Sequence, residues 1–258
     1  MKSRKHVLLA GLGLIGALAL ALTGCGGNNS IGPSGNATSN VRFFNALAGI
    51  NSVTITQRNP SATPLVSKIN YGQTTGYFLA PAGNNIQTYA LQPGTQTVLA
   101  SGGVTMYTHN TGTNVGTSTI IPAGVVGQNS PYNPQVFQFQ DAWPSQSAIP
   151  ANQVAIRFIN VAPGSPALTL NNSVSGNLTQ LTGLTAITYG HSSTATAYVD
   201  EPSGPYNFVV TDTAGHILGS QSVTLSTGTA YTVIVYGTYP PASGSQLSLY
   251  VLTDTNNL

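Results

Sequence analysis

Charge is the scarcest ingredient of this chain: 7 Lys and Arg and 5 Asp and Glu among 258 residues make 5%, where soluble domains usually carry about 25%. Three of the cations, Lys2, Arg4 and Lys5, crowd the N-terminus. Beyond residue 24 there remain Arg42, Arg58, Lys68 and Arg157 against Asp141, Asp200, Glu201, Asp212 and Asp254, a formal charge of −1. No basic patch is left to neutralise a phosphate backbone, which excludes nucleic acid as a partner. Hydration falls to Ser, Thr, Asn and Gln, giving a surface insensitive to salt and weak in self-repulsion. Cysteine is nearly absent too: Cys25 stands alone, so no disulfide can form within the chain and packing must hold it. Also missing are a G-x-S-x-G elbow, an H-E-x-x-H pair and a P-loop. These absences predict a protein without catalytic activity, metal or cofactor, with a secreted hydrolase as the alternative.

What is present begins with an address. Lys2, Arg4 and Lys5 precede an apolar run from Val7 to Leu22, the layout of a secretory signal and shorter than the ~20 residues that span a bilayer. Leu22-Thr23-Gly24-Cys25 resembles the lipobox of bacterial lipoprotein signals. The resemblance implies that residues 1–24 are removed and that Cys25 carries the lipid, making it an attachment point rather than a nucleophile and the membrane a partner. Gly26 follows where Asp often signals inner-membrane retention, so the cell envelope, with its outer membrane favoured, is the expected location. Residues 25–39 are aperiodic and polar and read as a flexible tether.

After the tether the chain repeats itself. "VRFFNALAG" at 41–49 returns as "IRFINVAPG" at 156–164, "INYGQTTG" at 69–76 as "ITYGHSST" at 187–194, and "APAG" at 80–83 as "EPSG" at 201–204. The copies, 40–143 and 152–258, are each of single-domain size, and 144–151, with two prolines, reads as a short stiff linker. Period-two segments such as "SVTITQ", "QVFQFQ" and "QLSLYVL" predict strands, and "LQPGTQTV" and "VVTDTAGHIL" predict hairpins with tips at Pro93-Gly94 and Asp212 to Gly215. No ten-residue helical pattern follows the signal. The expected fold is all-β, a seven- or eight-stranded sandwich per copy.

The "RFxN" opening, "APGSPALTLN" at 162–171, Tyr71-Gly72 and Tyr189-Gly190, and the "PAG" turn at 81–83 resemble the bacterial "domain of unknown function 4397" family. The resemblance implies secreted or lipid-anchored, often tandem, Ig-like antiparallel β-sandwich domains, and it implies no activity. The first copy departs from the pattern over 104–134.

Several residues are candidates for a role. Arg42 and Arg157 are equivalent, as are Asp141 and Asp254, so the first and last strands of each copy are expected to lie together, pairing Arg42 with Asp141 and Arg157 with Asp254. The alternative is that each arginine lays its stem on apolar surface with its head in water. Tyr71 and Tyr189 read as half-buried structural tyrosines with hydroxyls bonded to backbone. Trp143 falls at the linker, where it could serve as a stacking platform for a glycan. His109, His191 and His216 lack a second ligand at metal spacing, and Asp200, Glu201 and Asp212 read as turn formers rather than a calcium site. Together these features predict a non-catalytic envelope protein presenting two modules to a polysaccharide or another envelope protein. A self-associating surface or adhesion subunit is the second possibility.

Overall fold

The computed structural model describes residues 37–108, 116–193, 198–241 and 245–254. The signal, Cys25, most of the tether and His109 lie outside the described residues. The first half holds β1 (Thr38–Phe43), β2 (Ala46–Ala48), β3 (Ser52–Gln57), β4 (Val66–Asn70), β5 (Phe78–Pro81), β6 (Gly83–Leu91), β7 (Val98–Met106), β8 (Thr117–Val125) and β9 (Gln135–Gln140). The second holds β10 (Gln153–Asn160), β11 (Thr169–Val174), β12 (Asn177–Gln180), β13 (His191–Ser192), β14 (Val199–Pro202), β15 (Gly204–Thr211), β16 (Ile217–Leu225), β17 (Ala230–Tyr236) and β18 (Ser248–Asp254). Both expected hairpins form, β6 to β7 around Pro93-Gly94 and β15 to β16 around Asp212 to Gly215.

Each half is a sandwich of two sheets. In the first, β8 lies between β9 on one side and β1 and β2 on the other, with β5 beyond β1, and β4-β3-β6-β7 forms the second layer. In the other half β17 lies between β18 and β10, β10 also pairs β13 and β14, and β12-β11-β15-β16 forms the second layer. The pairing is not purely antiparallel as expected: β1 and β2 run parallel to β8, and β10 runs parallel to β17. Parallel strands are ordinarily covered on both faces, and so are these. Nearly every residue of β1, β8, β10 and β17 is buried.

The period-two alternation explains the double burial. Val41, Phe43 and Ile120 face the sandwich core of the first half, and Ile156, Phe158 and Val233 that of the second. Their neighbours point the other way. Phe44, Ala46, Ile121, Ala123 and Phe139 meet Ile159, Val161, Ile234 and Leu252 in a shared apolar layer. The β1/β8 and β10/β17 sheets therefore face each other, and the order is outer, inner, inner, outer sheet within one compact unit. The segment expected to be a linker carries an exposed 3-10 turn at Gln146–Ala148 and docks on this seam through the residues that flank it. Trp143 and Ile149 are buried there against Ala155 and Ala230, so Trp143, 3% exposed, is not a surface platform.

One difference between the halves has a local cause. Pairing of β8 with β1 ends at Ile120 and resumes with β2 at Ala123. Pro122, which lacks a backbone donor, sits in the gap. Val235 occupies the corresponding place in β17, and β10 continues unbroken to Asn160. At each corner a fully buried asparagine ties the chain: Asn45 to Ile69 and Leu47, Asn160 to Ile187 and Ala162.

Candidate functional site

The four charged residues singled out in the sequence do come together, with the partners exchanged. Arg42 pairs with Asp254 and Arg157 with Asp141, both across the seam. The expected pairing within each copy fails because first and last strands are not neighbours: β8 separates β1 from β9, and β17 separates β10 from β18. A threonine on the intervening strand fills the gap. Arg42 Nε donates to Thr119 Oγ1 at 2.7 Å, which donates to Asp141 Oδ2 at 2.7 Å. Arg157 Nε and its Nη2 donate to Thr232 Oγ1 at 3.2 and 2.9 Å, and Thr232 donates to Asp254 Oδ2 at 2.6 Å. The six side chains close a ring with an approximate two-fold relation. Tyr77 and Tyr198 add their hydroxyls to Asp141 and Asp254, each at 2.8 Å, and lie under the guanidinium groups of Arg42 and Arg157 at 4.6 and 5.2 Å.

All six ring members are 3% exposed or less, so the charges are satisfied by one another. Burial works against the Arg42 charge, but Asp254, with Tyr77 and Asp141, outweighs it and raises the pKa. Burial likewise opposes the charge of Arg157, which Tyr198, Asp141 and Asp254 hold in place. Tyr77 and Tyr198 are held neutral, chiefly by burial, with the carboxylates adding to it. With every carboxylate oxygen engaged, the ring offers no nucleophile or open ligand position. It is a weld between halves.

The tyrosines before glycine belong to the same seam. Tyr71 and Tyr189 are half-buried as expected, and burial raises the hydroxyl pKa of each to about 12. The Tyr189 hydroxyl makes no bond to backbone, contrary to expectation, because its ring is turned into the seam against Phe137. Tyr71 packs edge-on against Tyr236 of the other half at 5.5 Å, and Tyr189 against Phe137 at 5.3 Å. Gly72 and Gly190, at φ +70 and +78, let the chain approach: an added Cβ would lie 2.6 Å from the Tyr236 hydroxyl or from the Phe137 ring. Thr119, Thr232, Tyr77 and Tyr198 escaped the sequence reading. A signal existed for the threonines, which are 113 residues apart, as are Asp141 and Asp254.

The remaining candidates do not converge. His191 is exposed and bonds locally to Thr188 and Tyr189. Asp212 accepts from the Ala214 and His216 backbone N–H groups and meets His216 Nδ1 at 2.8 Å, shaping the hairpin tip. Its pKa is lowered, first by the hydrogen bond from His216. Asp200 and Glu201, expected to form a turn, sit instead within β14, paired with Ala155 and Val154 of β10. Among the described residues no three His, Cys, Asp or Glu side chains gather as a metal site would need.

A concave feature among the described residues lies on the outer sheet of the second half, an open groove of about 670 Å³ lined by parts of β11, β15 and β16. Its polar lining is Asn172, Ser173, Ser175, Asn207, Ser222 and Thr224, with no charged side chain. The amides are fixed from one end. Asn172 Oδ1 accepts the Asn207 backbone N–H at 3.1 Å, and Asn207 Oδ1 accepts the Ser222 hydroxyl at 3.2 Å. Each amide NH2 is thereby oriented as a donor. The groove can take a neutral molecule rich in acceptors, and it contains no acid, base or nucleophile pair.

The chain belongs to the family described as a domain of unknown function, DUF4397, whose profile matches residues 39–171. The match takes in the first half, β10 and the start of β11. No curated protein matches the chain. Among solved structures, a streptococcal virulence factor described for alpha-glucan binding is similar at 12% identity over 82% of this chain and 96% of its own, with a TM-score of 0.24. The Bacillus anthracis TIE protein is similar at 11% identity over 79% of this chain and 34% of its own, at 0.21. A candidate cell adhesion protein from Bacteroides eggerthii is similar at 10% over 84% and 96%, at 0.20. Likeness this loose carries no functional weight.

Proposed function

We propose that the chain is a non-catalytic, lipid-anchored protein of the bacterial envelope, whose fused sandwiches present the groove over β11, β15 and β16 to a neutral, hydroxyl-rich target such as a polysaccharide. The observation that carries the reading is the groove's lining of oriented amides and hydroxyls without charge. Such groups match sugar hydroxyls, and the neighbouring Val174 and Pro205 offer apolar surface to the C–H face of a ring. Acylation of Cys25 supplies the anchor and the envelope the location, with the outer membrane favoured. Duplication is then read as architecture: the inner sheets consume each other's surfaces, so the outer sheets lie on opposite sides and do not grip one flat target together.

The test has two arms. Titration with a panel of neutral and acidic oligosaccharides is expected to show binding of neutral ones, weakened at least ~10-fold by Asn207→Ala. An empty panel would remove the polysaccharide reading. Fractionation of cells carrying Cys25→Ala is expected to move the chain from membrane to soluble fractions, and protease treatment of intact cells then separates surface from periplasm. Membrane retention of the variant would remove the anchor.

A further inference from the structure

Sheet edges invite pairing with other strands, and proteins blunt them with charge, proline or cover. Around this molecule the edges are treated unequally. β4 carries the exposed Lys68, β5 ends in Pro81, and β14 carries Asp200, Glu201 and Pro202. β7 is covered by β9, whose Gln138 bonds both the N–H and C=O of Thr105 at 2.8 and 2.6 Å. The start of β16 is covered where Leu218 C=O accepts the Leu247 N–H at 2.7 Å. β12, Asn-Leu-Thr-Gln, has no charge and no proline, and all four of its residues are exposed.

This edge is also prepared. β12 is the outer arm of a tight hairpin: Val174 pairs with Asn177 across Ser175 and Gly176, at φ 52 and +83, the left-handed conformations of a two-residue turn that matches strand twist. Val174 and Leu178, 57% and 42% exposed, stand on opposite faces of the ribbon.

We infer that β12 is a pairing edge for a second copy of this chain, two β12 strands meeting antiparallel about a two-fold axis. An antiparallel edge is complementary to itself under that operation, since each strand offers the donors and acceptors the other lacks. A formal charge of −1 on the chain beyond residue 24 gives the copies little mutual repulsion. Leu178, 42% exposed on the edge strand itself, loses water in the pairing, which a charged or proline-bearing edge would not permit. The inference rests on the edge alone and stands apart from the groove and the anchor.

Sedimentation velocity on the chain carrying Cys25→Ala, from about 1 to about 300 µM, is expected to show a monomer converting to a dimer. Leu178→Lys, which gives β12 the protection β4 already has, is expected to raise the dimer Kd at least ~10-fold. Thr179→Lys, on the opposite face, provides a second variant should the first unfold. Backbone hydrogen exchange at 177–180 slows as the dimer fills. A strict monomer over the whole range, or a dimer indifferent to both lysines, overturns the proposal.

Discussion

The two halves of this protein agree at the seam and disagree at the rim. Along the seam every element of the ring occurs twice, arginine, threonine, aspartate and tyrosine, and the glycines at 72 and 190 make the same close approach to an aromatic of the other half. At the rim Lys68 guards one edge while the corresponding edge has Leu178, and a groove opens on one outer sheet with Asn207 and Ser222 in its lining. The difference teaches where geometry constrains the repeat. A buried ion needs its partner placed to within a fraction of an ångström, and a two-fold seam demands it at both ends. An outer sheet faces water, and its side chains are free to differ.

The hardest way to break the seam is to remove one ion. Arg157→Ala leaves Asp141 buried without its cation, and loss of about 3–5 kcal/mol is expected, read as a fall in the denaturation midpoint. Replacing both partners, Arg157→Met with Asp141→Leu, is expected to cost much less than either single change, because the desolvation penalty disappears with the charges. A single arginine variant as stable as the parent would show that the ring does not hold the halves together.

The seam also marks the limit of what the sequence disclosed. Strand alternation placed β3 and β9 at 52–57 and 135–140 as expected, because a strand whose two faces meet different surroundings writes a period of two into its own residues, even where, as in β3, the polar face is buried as well. Arg42, Arg157, Asp141 and Asp254 stood out because charge is rare. Their partners did not follow: strand order within a sheet is a long-range property, and nothing in the local pattern says that β8 and β17 intervene. Apolar residues on both faces of β10, Ala155 and Ile159 against Val154, Ile156 and Phe158, were the visible trace of a second buried face. The groove was not legible, since its asparagines and serines resemble those of any turn or exposed strand.

Alkali attacks the same seam more gradually. Tyr77 and Tyr198 keep their protons in the folded chain well above the ordinary tyrosine range, whereas the unfolded chain releases them near pH 10. Their contribution is therefore fully present below about pH 10 and declines above it, by up to about 1.4 kcal/mol per pH unit for each tyrosine. Tyr77→Phe with Tyr198→Phe is expected to flatten that decline in a pH series of melting temperatures while lowering stability at neutral pH. An unchanged slope would detach the two tyrosines from the ring.

Glycine substitutions sharpen the comparison between seam and rim at smaller cost. Gly190→Ala meets both a positive φ of +78 and the Phe137 ring, and a loss of about 2–3 kcal/mol is expected from strain and overpacking together. Gly176→Ala has a positive φ of +83 with nothing within 4 Å, so it bears the backbone strain alone, about 1 kcal/mol. Equal losses in chemical denaturation would mean that the close approach across the seam contributes nothing.

The finest test changes one atom type on one strand. Thr119 and Thr117 are both fully buried on β8, and by the two-residue period they face the same side. The Thr119 hydroxyl joins Arg42 to Asp141, whereas the Thr117 hydroxyl has no hydrogen-bond partner. Thr119→Val strips a donor and an acceptor from buried ions and is expected to cost about 1–3 kcal/mol, while Thr117→Val relieves an unpaired hydroxyl and is expected to gain up to about 1 kcal/mol. The shape change is the same in both variants, so a difference in sign isolates the hydrogen bonds from packing. If both substitutions move stability alike, the seam is held by its apolar layer, and the ring serves only to fix which way the halves face.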